Sequence, residues 1–436
     1  MTEREYPLPL PRSRDEIEAI QRERLPIAVE RARLSRFFAG RLDRIDTARI
    51  HDPEEWRKIP ILTKDELRRL PAETFHEDFC IAGRDAVVEY WRSGGVTGKP
   101  LFYPRSAADM RYGMEGFRRL QTAAGCGPGD LVHVCFPLGI HPVGLAYARA
   151  AQQLGAGVVT CGSGNNTPTA LQLELIRTLR PTVIAGMASY ALQLAQHAER
   201  LGIDLAAGSV RKILTAAEPV SPGKRERLER LWGAELYDQF GVTEGSAMAS
   251  ESERHDGMHI WTDQYYVEVV DADSKRPVPE GEMGLLVVTP LWNNTMTPFL
   301  RWETGDYVRF VDRGETDGPF GVFPMIRHAA RTAGFFKVRG ININQGDIED
   351  FLYRVPAIAD FKIEAVETEA LDTLRISIEV AGGADADAAG ESLARSVRET
   401  FELTPEVEVI EPGTLEREFA GAVKQNRFID RRGTPD

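Results

Sequence analysis

Ser93-Gly94-Gly95-Val96-Thr97-Gly98-Lys99-Pro100 is the stretch around which this chain is organised. Glycines, hydroxyls and a lysine crowd into it. Val87-Val88-Glu89-Tyr90-Trp91-Arg92 before it is β-branched and aromatic and reads as a strand, and Leu101-Phe102-Tyr103 after it reads as a second. In a glycine-rich turn between strands, backbone N–H groups can approach an oxyanion, because no Cβ stands in the way. Ser93 and Thr97 add hydroxyl donors and Lys99 adds charge. That equips the loop to hold a polyphosphate. It departs from the common phosphate loop, which opens on glycine and follows its lysine with a hydroxyl. Here Ser93 and Pro100 hold those positions, so no helix starts there. Read alone, the same residues also make a ligand-free hairpin loop.

The whole chain sets the bounds. At 436 residues it suits a large domain plus a smaller one. A net charge of −13 argues against general nucleic-acid binding, though not against a local basic pocket. No apolar run is long enough to span a bilayer, and Met1 to Tyr6 lacks the apolar core of a signal peptide. The expectation is a cytoplasmic protein with neither membrane nor nucleic acid as partner. Cys80, Cys126, Cys135 and Cys161 are scattered without CxxC pairing, and read as reduced, mostly buried thiols with no metal framework.

Taken in order, residues 1 to about 85 look helical and charged, a wrapping layer with no chemistry of its own. Thr63 is placed to cap a helix, with Glu66 at the capping-box position. From Ala86 to Glu244 strands and helices alternate. The nearly continuous apolar run Leu131 to Phe136 marks a strand covered on both faces. Ser106, Thr167-Pro168 and Ser221-Pro222 read as helix starts. This alternation implies a largely parallel α/β sheet. Residues about 264–323 change to strands with Pro and Gly turns, which suggests a small antiparallel β-subdomain. The expected fold class is α/β. A large N-terminal domain, 1–330, has mostly parallel sheets plus that subdomain, and a small mobile α+β domain covers 331–436.

Further segments carry chemistry in their own right. In Tyr237-Asp238-Gln239-Phe240-Gly241-Val242-Thr243-Glu244 an aromatic ring can stack on a purine, and Glu244 offers hard carboxylate oxygens of the kind Mg²⁺ takes. The bland alternative is a glycine turn before a helix N-terminus. Arg301-Trp302-Glu303-Thr304-Gly305-Asp306 ends on a carboxylate whose two oxygens suit a vicinal diol, or is a surface Gly-Asp turn. Glu218, in Thr215-Ala216-Ala217-Glu218-Pro219, is a binding-wall residue or a loop carboxylate. His255 and His259 flank Gly257 with no soft ligand nearby, so no structural zinc is expected.

The loop Ser93 to Pro100 resembles the signature loop of the adenylate-forming, or acyl-CoA ligase, superfamily, and four further segments match that superfamily in the right order. The compact chain and Ile59 to Leu67 point to its phenylacetate–CoA ligase branch. The resemblance implies ATP, Mg²⁺ and CoA as cofactors. It implies ATP contacts from Ser93, Gly94, Gly95, Thr97, Gly98, Lys99, Glu218, Pro219, Asp238, Gln239, Phe240, Gly241, Thr243, Asp306 and Arg331, with Glu244 on the metal. Lys337 to Asn344 looks like the loop of the mobile domain, with Arg339 and Gly340 beside CoA. Val423-Lys424-Gln425-Asn426-Arg427 resembles the Gly-Lys-x-x-Arg close of the family, which makes Lys424 the catalytic lysine with Thr243 and Glu244. The acid pocket is assigned to Phe136, His141 as a gate, Ala185, Gly186, Met187 and Tyr190, on the logic that ligands meet strand C-terminal ends.

The chain departs from the family at its hinge, where Arg331-Thr332-Ala333-Gly334 lacks the usual acidic residue, and Val423 replaces a glycine. The implied activity is adenylation of an aryl or arylacetic acid followed by transfer to CoA, in a homodimer. Two rivals stand beside it: transfer to an amine or carrier-protein thiol, and a non-catalytic nucleotide-binding homologue.

Overall fold

The computed structural model describes residues 8–93, 100–331, 335–338, 341–367, 372–419 and 426–432. The N-terminal layer opens with the helix Arg14–Arg33, whose N-cap Ser13 accepts the Glu16 N–H. The short helix Lys64–Arg68 carries the expected capping box: Thr63 Oγ1 accepts from Glu66 N, and Glu66 Oε2 accepts from Thr63 N at 3.1 Å. The layer is stitched to the body by backbone. Leu62 N donates to Arg301 O, and Glu303 N to Leu62 O, both at 2.9 Å.

The glycine-rich loop joins β1 (Val87–Arg92) to β2 (Phe102–Ser106), an antiparallel pair with Trp91 opposite Tyr103. The alternation that follows builds β3 (Leu131–Val134), β4 (Gly157–Thr160), β5 (Val183–Ala185), β6 (Lys212–Thr215) and β7 (Glu235–Val242), parallel in the order β4-β3-β5-β6-β7. Crossover helices cover them. Ser106 caps Ala107–Ala123 with Asp109 in a second capping box, and Ser221 caps Pro222–Trp232 through Lys224 N. Thr167 departs from its expected capping role. Its hydroxyl turns back to Cys161 O at 2.7 Å, and Pro168 precedes the helix Thr169–Leu179 without a side-chain cap.

The strands expected to form a separate β-subdomain continue this sheet. β8 (Ser246–Ser250), β9 (Met258–Ile260), β10 (Tyr265–Val270), β11 (Met283–Pro290), β12 (Trp302–Val311) and β13 (Met325–Arg331) extend it to 11 strands, ordered β10-β11-β12-β13-β9-β8-β7-β6-β5-β3-β4. β7 is the seam, parallel to β6 and antiparallel to β8. A tight turn between β7 and β8 leaves no room for a crossover, so the pairing must reverse there. All four cysteines are buried and free of disulfides.

The C-terminal residues form a hairpin, β14 (Phe335–Val338) with β15 (Ile341–Asn344), then the helix Gln345–Tyr353. β16 (Ile358–Glu367), β17 (Asp372–Val380), β18 (Glu406–Ile410) and β19 (Phe428–Asp430) make a second sheet ordered β18-β17-β16-β19. The helix Ala386–Phe401 crosses between the parallel pair β17 and β18, and Ala381 to Asp385 is the solvated loop before it. β15, the helix Gln345–Tyr353, β16, β17, the helix Ala386–Phe401 and β18 run strand, helix, strand, strand, helix, strand, and the hairpin strand β14, the helix Thr414–Phe419 and β19 add to them. This unit docks on the first turn of Pro222–Trp232, where Gly223 N donates to Asp350 Oδ1 at 2.6 Å. A Cβ on Gly223 would meet the Asp350 carbonyl oxygen at 2.9 Å and Arg354 Cγ at 2.8 Å.

Candidate active site

Tyr237 to Val242 lie inside β7 rather than after it, and Thr243-Glu244-Gly245 turns the chain back into β8 with no helix following. Gly241 permits this return, since a Cβ there would stand 2.5 Å from Ser246 O. Tyr265 Oη and Asn293 Nδ2 both donate to Gly245 O at 2.6 Å. Arg105, 1% exposed, donates to Thr243 O and to Glu244 O at 3.0 Å, and its guanidinium lies 4.7 Å from the Trp91 ring. Through Arg105 the β1–β2 hairpin, which carries the glycine-rich loop, is locked to the turn of Thr243 and Glu244.

Glu244 is buried, and its carboxylate is already engaged. Tyr103 Oη donates to Oε1 at 2.9 Å, and Lys64 Nζ lies 3.6 Å from the same oxygen. Burial, with the Glu244 charge beside it, pushes the Tyr103 phenol well above its ordinary range, which keeps it a donor. Lys64 belongs to the N-terminal layer, which was expected to carry no chemistry. The capped helix instead delivers a cation to the site, and neither Lys64 nor Tyr103 was singled out from sequence. Ser93 closes the neck of the loop: its N donates to Leu101 O at 2.9 Å, and its Oγ accepts from Leu101 N at 3.1 Å. Gly94, Gly95, Thr97, Gly98 and Lys99 lie outside the described residues.

Asp306 sits within β12 and is 1% exposed, which excludes a surface turn. Its backbone partner is Arg331 on β13. His328 Nε2 lies 3.5 Å from Asp306 Oδ1, and the His328 ring centroid is 6.3 Å from that of Phe240. Two motifs distant in the chain therefore meet at one histidine that sequence reading missed.

Other predicted residues serve the scaffold. Gln239 accepts from Tyr147 Oη at 2.5 Å and donates to Leu120 O at 2.9 Å and Ser250 Oγ at 3.2 Å. It faces the core because neighbours on a strand point to opposite faces, so Asp238, Gln239 and Phe240 cannot all face one ligand. Asp238 pairs across from Thr215, and burial beside the charged Glu251 pushes its carboxyl up to about 8. Glu218 Oε2 accepts from Ser189 Oγ and Oε1 accepts from Lys224 Nζ, both at 2.9 Å. Its carboxylate joins two helix starts. Burial opposes its ionisation, but Lys224 and the Ser189 donors outweigh that and hold it below the usual range. Ala217, with φ of 73°, and Pro219 leave their stretch of loop exposed.

The residues assigned to an acid pocket from the sequence gather at the C-terminal ends of the parallel strands, with differing orientations. Phe136 is fully buried with its ring 4.5 Å from Tyr147, and Ala185 is fully buried too. Gly186 lies against Cys135, where a Cβ would meet Sγ at 3.1 Å. Met187 leads into the helix Ala188–Arg200. Tyr190 Oη accepts from Gln172 Nε2 at 2.8 Å. His141, at the start of the helix Pro142–Gln153, has Nε2 3.4 Å from Arg92 Nη1 at the end of β1. In the C-terminal unit Arg427 is a structural cation, ion-paired with Asp360 and bonded to Phe361 O at 3.0 Å. Thr332, Ala333, Gly334, Arg339, Gly340, Val423 and Lys424 lie outside the described residues.

The chain matches the family model of the AMP-binding enzymes over residues 43–293. It is an AMP-binding enzyme. The family's C-terminal domain model matches residues 340–432. Phenylacetate-coenzyme A ligase of Aromatoleum evansii is 27% identical to this AMP-binding enzyme over 436 residues, 96% of each chain. The phenylacetate-coenzyme A ligase of Escherichia coli strain K12 is 30% identical over 377 residues, 84% of this chain and 83% of that one. The structure of 2-hydroxyisobutyryl-CoA ligase in its postadenylation state superposes with a TM-score of 0.83 at 24% identity, covering 99% of this chain and 95% of that one. The resemblance read from the motifs thus holds along the chain, and the AMP-binding enzyme has the mixed α/β fold expected.

Proposed function

We propose that this protein joins a carboxylic acid to coenzyme A in two steps. The acid's carboxylate oxygen attacks the α-phosphorus of ATP, the bond to pyrophosphate breaks, and an acyl-adenylate forms. The thiolate of CoA then attacks the acyl carbon and expels AMP. The observation that carries this reading is the Glu244 cluster. A buried carboxylate, a cation and a fixed phenol from the strand that follows the glycine-rich segment converge on one turn, in an AMP-binding enzyme similar to phenylacetate-coenzyme A ligases.

In this reading Ser93 to Lys99 hold the β- and γ-phosphates, and Thr243 meets the α-phosphate. Phe240 stacks on adenine, with the exposed loop at Ala217 and Pro219 as its border. Asp306 and Arg331 take the ribose. Lys64 adds positive charge beside the phosphates, and Lys424 neutralises charge as the adenylate forms. Glu244 has the hard oxygen that Mg²⁺ favours, and Mg²⁺ bound there would offset phosphate charge. Arg339 and Gly340 line the path of CoA. The acid is aryl or arylacetic, in keeping with the phenylacetate relatives. The division of the chain is put at residues 330 and 331, at the last residue of β13 in the large sheet.

The test is pyrophosphate release with ATP across benzoic, phenylacetic, cinnamic and short aliphatic acids, each with and without CoA. One aromatic acid should drive release, with AMP and a thioester appearing only when CoA is added. Lys424→Ala should cut release on the order of a hundredfold or more. Release with no thioester would move the acceptor to an amine or carrier thiol, and no release with any acid would sink the ligase reading.

A further inference from the structure

One irregularity in strand register decides where His328 lies. β12 pairs with β13 so that Asp306 stands opposite Arg331 and Tyr307 opposite Ala330, but Val308 stands opposite His328. Ala329 is therefore an extra residue on β13, a β-bulge. In an unbroken ladder Ala329 would face Val308, and His328 would fall opposite Arg309 on the other face of the sheet. Asp306 and Val308, two residues apart on β12, share a face. The bulge thus turns His328 onto the face of Asp306. Bulges recur next to functional sites because they re-aim a side chain in this way.

The contacts of the ring follow from that placement. Nε2 lies 3.5 Å from Asp306 Oδ1. The Asp306 side chain is 2% exposed and that of His328 15%, so the imidazole is the outer member of the pair. β9 pairs with β13 at Met325 and Ile326. His328 lies past that pairing and reaches across to Phe240 on β7, with ring centroids 6.3 Å apart and planes tilted by 44°. Phe240 braces the ring on one side while the carboxylate meets it on another.

A carboxylate offers two oxygens to a vicinal diol, and it holds the diol best when a neighbour fixes its rotamer beforehand. We propose that His328 is a positioning residue for the nucleoside, one that fixes the Asp306 carboxylate in the orientation the two ribose hydroxyls require. This rests on the assignment of Asp306 to the ribose made above. It adds a determinant that ribose hydroxyls feel and that a nucleotide lacking them does not.

The experiment is calorimetric titration of the full-length protein, without acid or CoA, using MgATP and Mg-2′,3′-dideoxy-ATP. The wild type should prefer ATP by about tenfold or more. His328→Ala should shrink that preference about three- to tenfold, while the dideoxy nucleotide binds about as before. His328→Gln, which keeps an N–H donor near the place of Nε2, should recover most of the preference. A variant that only disturbs packing would lose both nucleotides alike, and thermal melting shows that each variant is folded. Asp306→Ala should abolish the preference. If it does, and His328→Ala keeps the full preference, weakens both nucleotides equally or binds ATP more tightly, the role of His328 is overturned while the ribose reading stands. If the wild type shows no preference, or Asp306→Ala leaves it intact, the ribose reading falls and the role of His328 falls with it.

Discussion

Tyr103 donates to Glu244 across the joint between the β1–β2 hairpin and the β7–β8 turn, at 2.9 Å, and Lys64 approaches the same oxygen at 3.6 Å. Three segments far apart in sequence thus share one carboxylate oxygen. Removing the phenolic hydroxyl leaves Glu244 buried with one donor fewer. Tyr103→Phe is expected to lower stability by about 1.5–3 kcal/mol, the worth of a hydrogen bond to a charged group. Lys64→Met should reduce pyrophosphate release about ten- to a hundredfold with little change in melting temperature. Chemical denaturation and the release assay check the two. A Lys64→Met enzyme at full rate would remove Lys64 from the site.

Gly241 is a steric requirement. Gly241→Ala puts a methyl 2.5 Å from a backbone oxygen that cannot move without opening the turn. We expect a loss of about 1–3 kcal/mol together with weakened ATP binding, because Thr243 and Glu244 ride on that turn. Wild-type ATP affinity in a destabilised variant would separate the turn from the site.

Asp238 gives a pH signature. Its carboxyl is pushed up to about 8 in the folded protein by burial and by Glu251, against about 4 when unfolded. The folded state therefore holds this proton more tightly. Its contribution to stability is complete below about pH 4, falls as pH rises, and is exhausted above about pH 8. The slope is at most about 1.4 kcal/mol per pH unit. Asp238→Asn should flatten the fall between about pH 5 and 8. Urea titrations at several pH values check this, and parallel slopes would refute it.

Gly223 offers a probe of docking that leaves the helix intact. Alanine at a helical glycine is intrinsically favourable by about 0.5–1 kcal/mol, yet here its methyl would collide with Asp350 and Arg354. Gly223→Ala should leave the large unit at least as stable while loosening the C-terminal one. Small-angle scattering would report a larger radius of gyration. An unchanged radius with unchanged half-reaction rates would mean that the contact does not hold the units together.

What was legible in the sequence was local. The capping box of Thr63 and Glu66 and the caps at Ser106 and Ser221 follow from side chains within one turn of the helix they start. The Thr167 reading failed because its hydroxyl found Cys161 O, a partner set by loop closure. The fusion of the β strands into one sheet depends on strand order, which no local pattern encodes. Gln239 was assigned to the ligand through the resemblance alone; β7 is buried on both faces, so alternation of polar and apolar residues does not report which face is which. Lys64, Tyr103 and His328 escaped notice because their partners, Glu244 on the β7–β8 turn and Asp306 on β12, lie on segments far away in the chain or on another strand.

The seam at β7 has a mechanical consequence. One strand hydrogen-bonds to β6 in parallel fashion and to β8 in antiparallel fashion, so peeling it away strips an edge from both halves at once. The two halves cannot melt in turn, and the large unit should open as one cooperative block. Amide protons of Ile213 on β6 and Ala249 on β8 should then exchange with solvent together, at the slowest rate in the molecule. The turn of Thr243 and Glu244 is thereby hung from the strand least able to fray, and the site proposed there inherits the rigidity of the entire sheet.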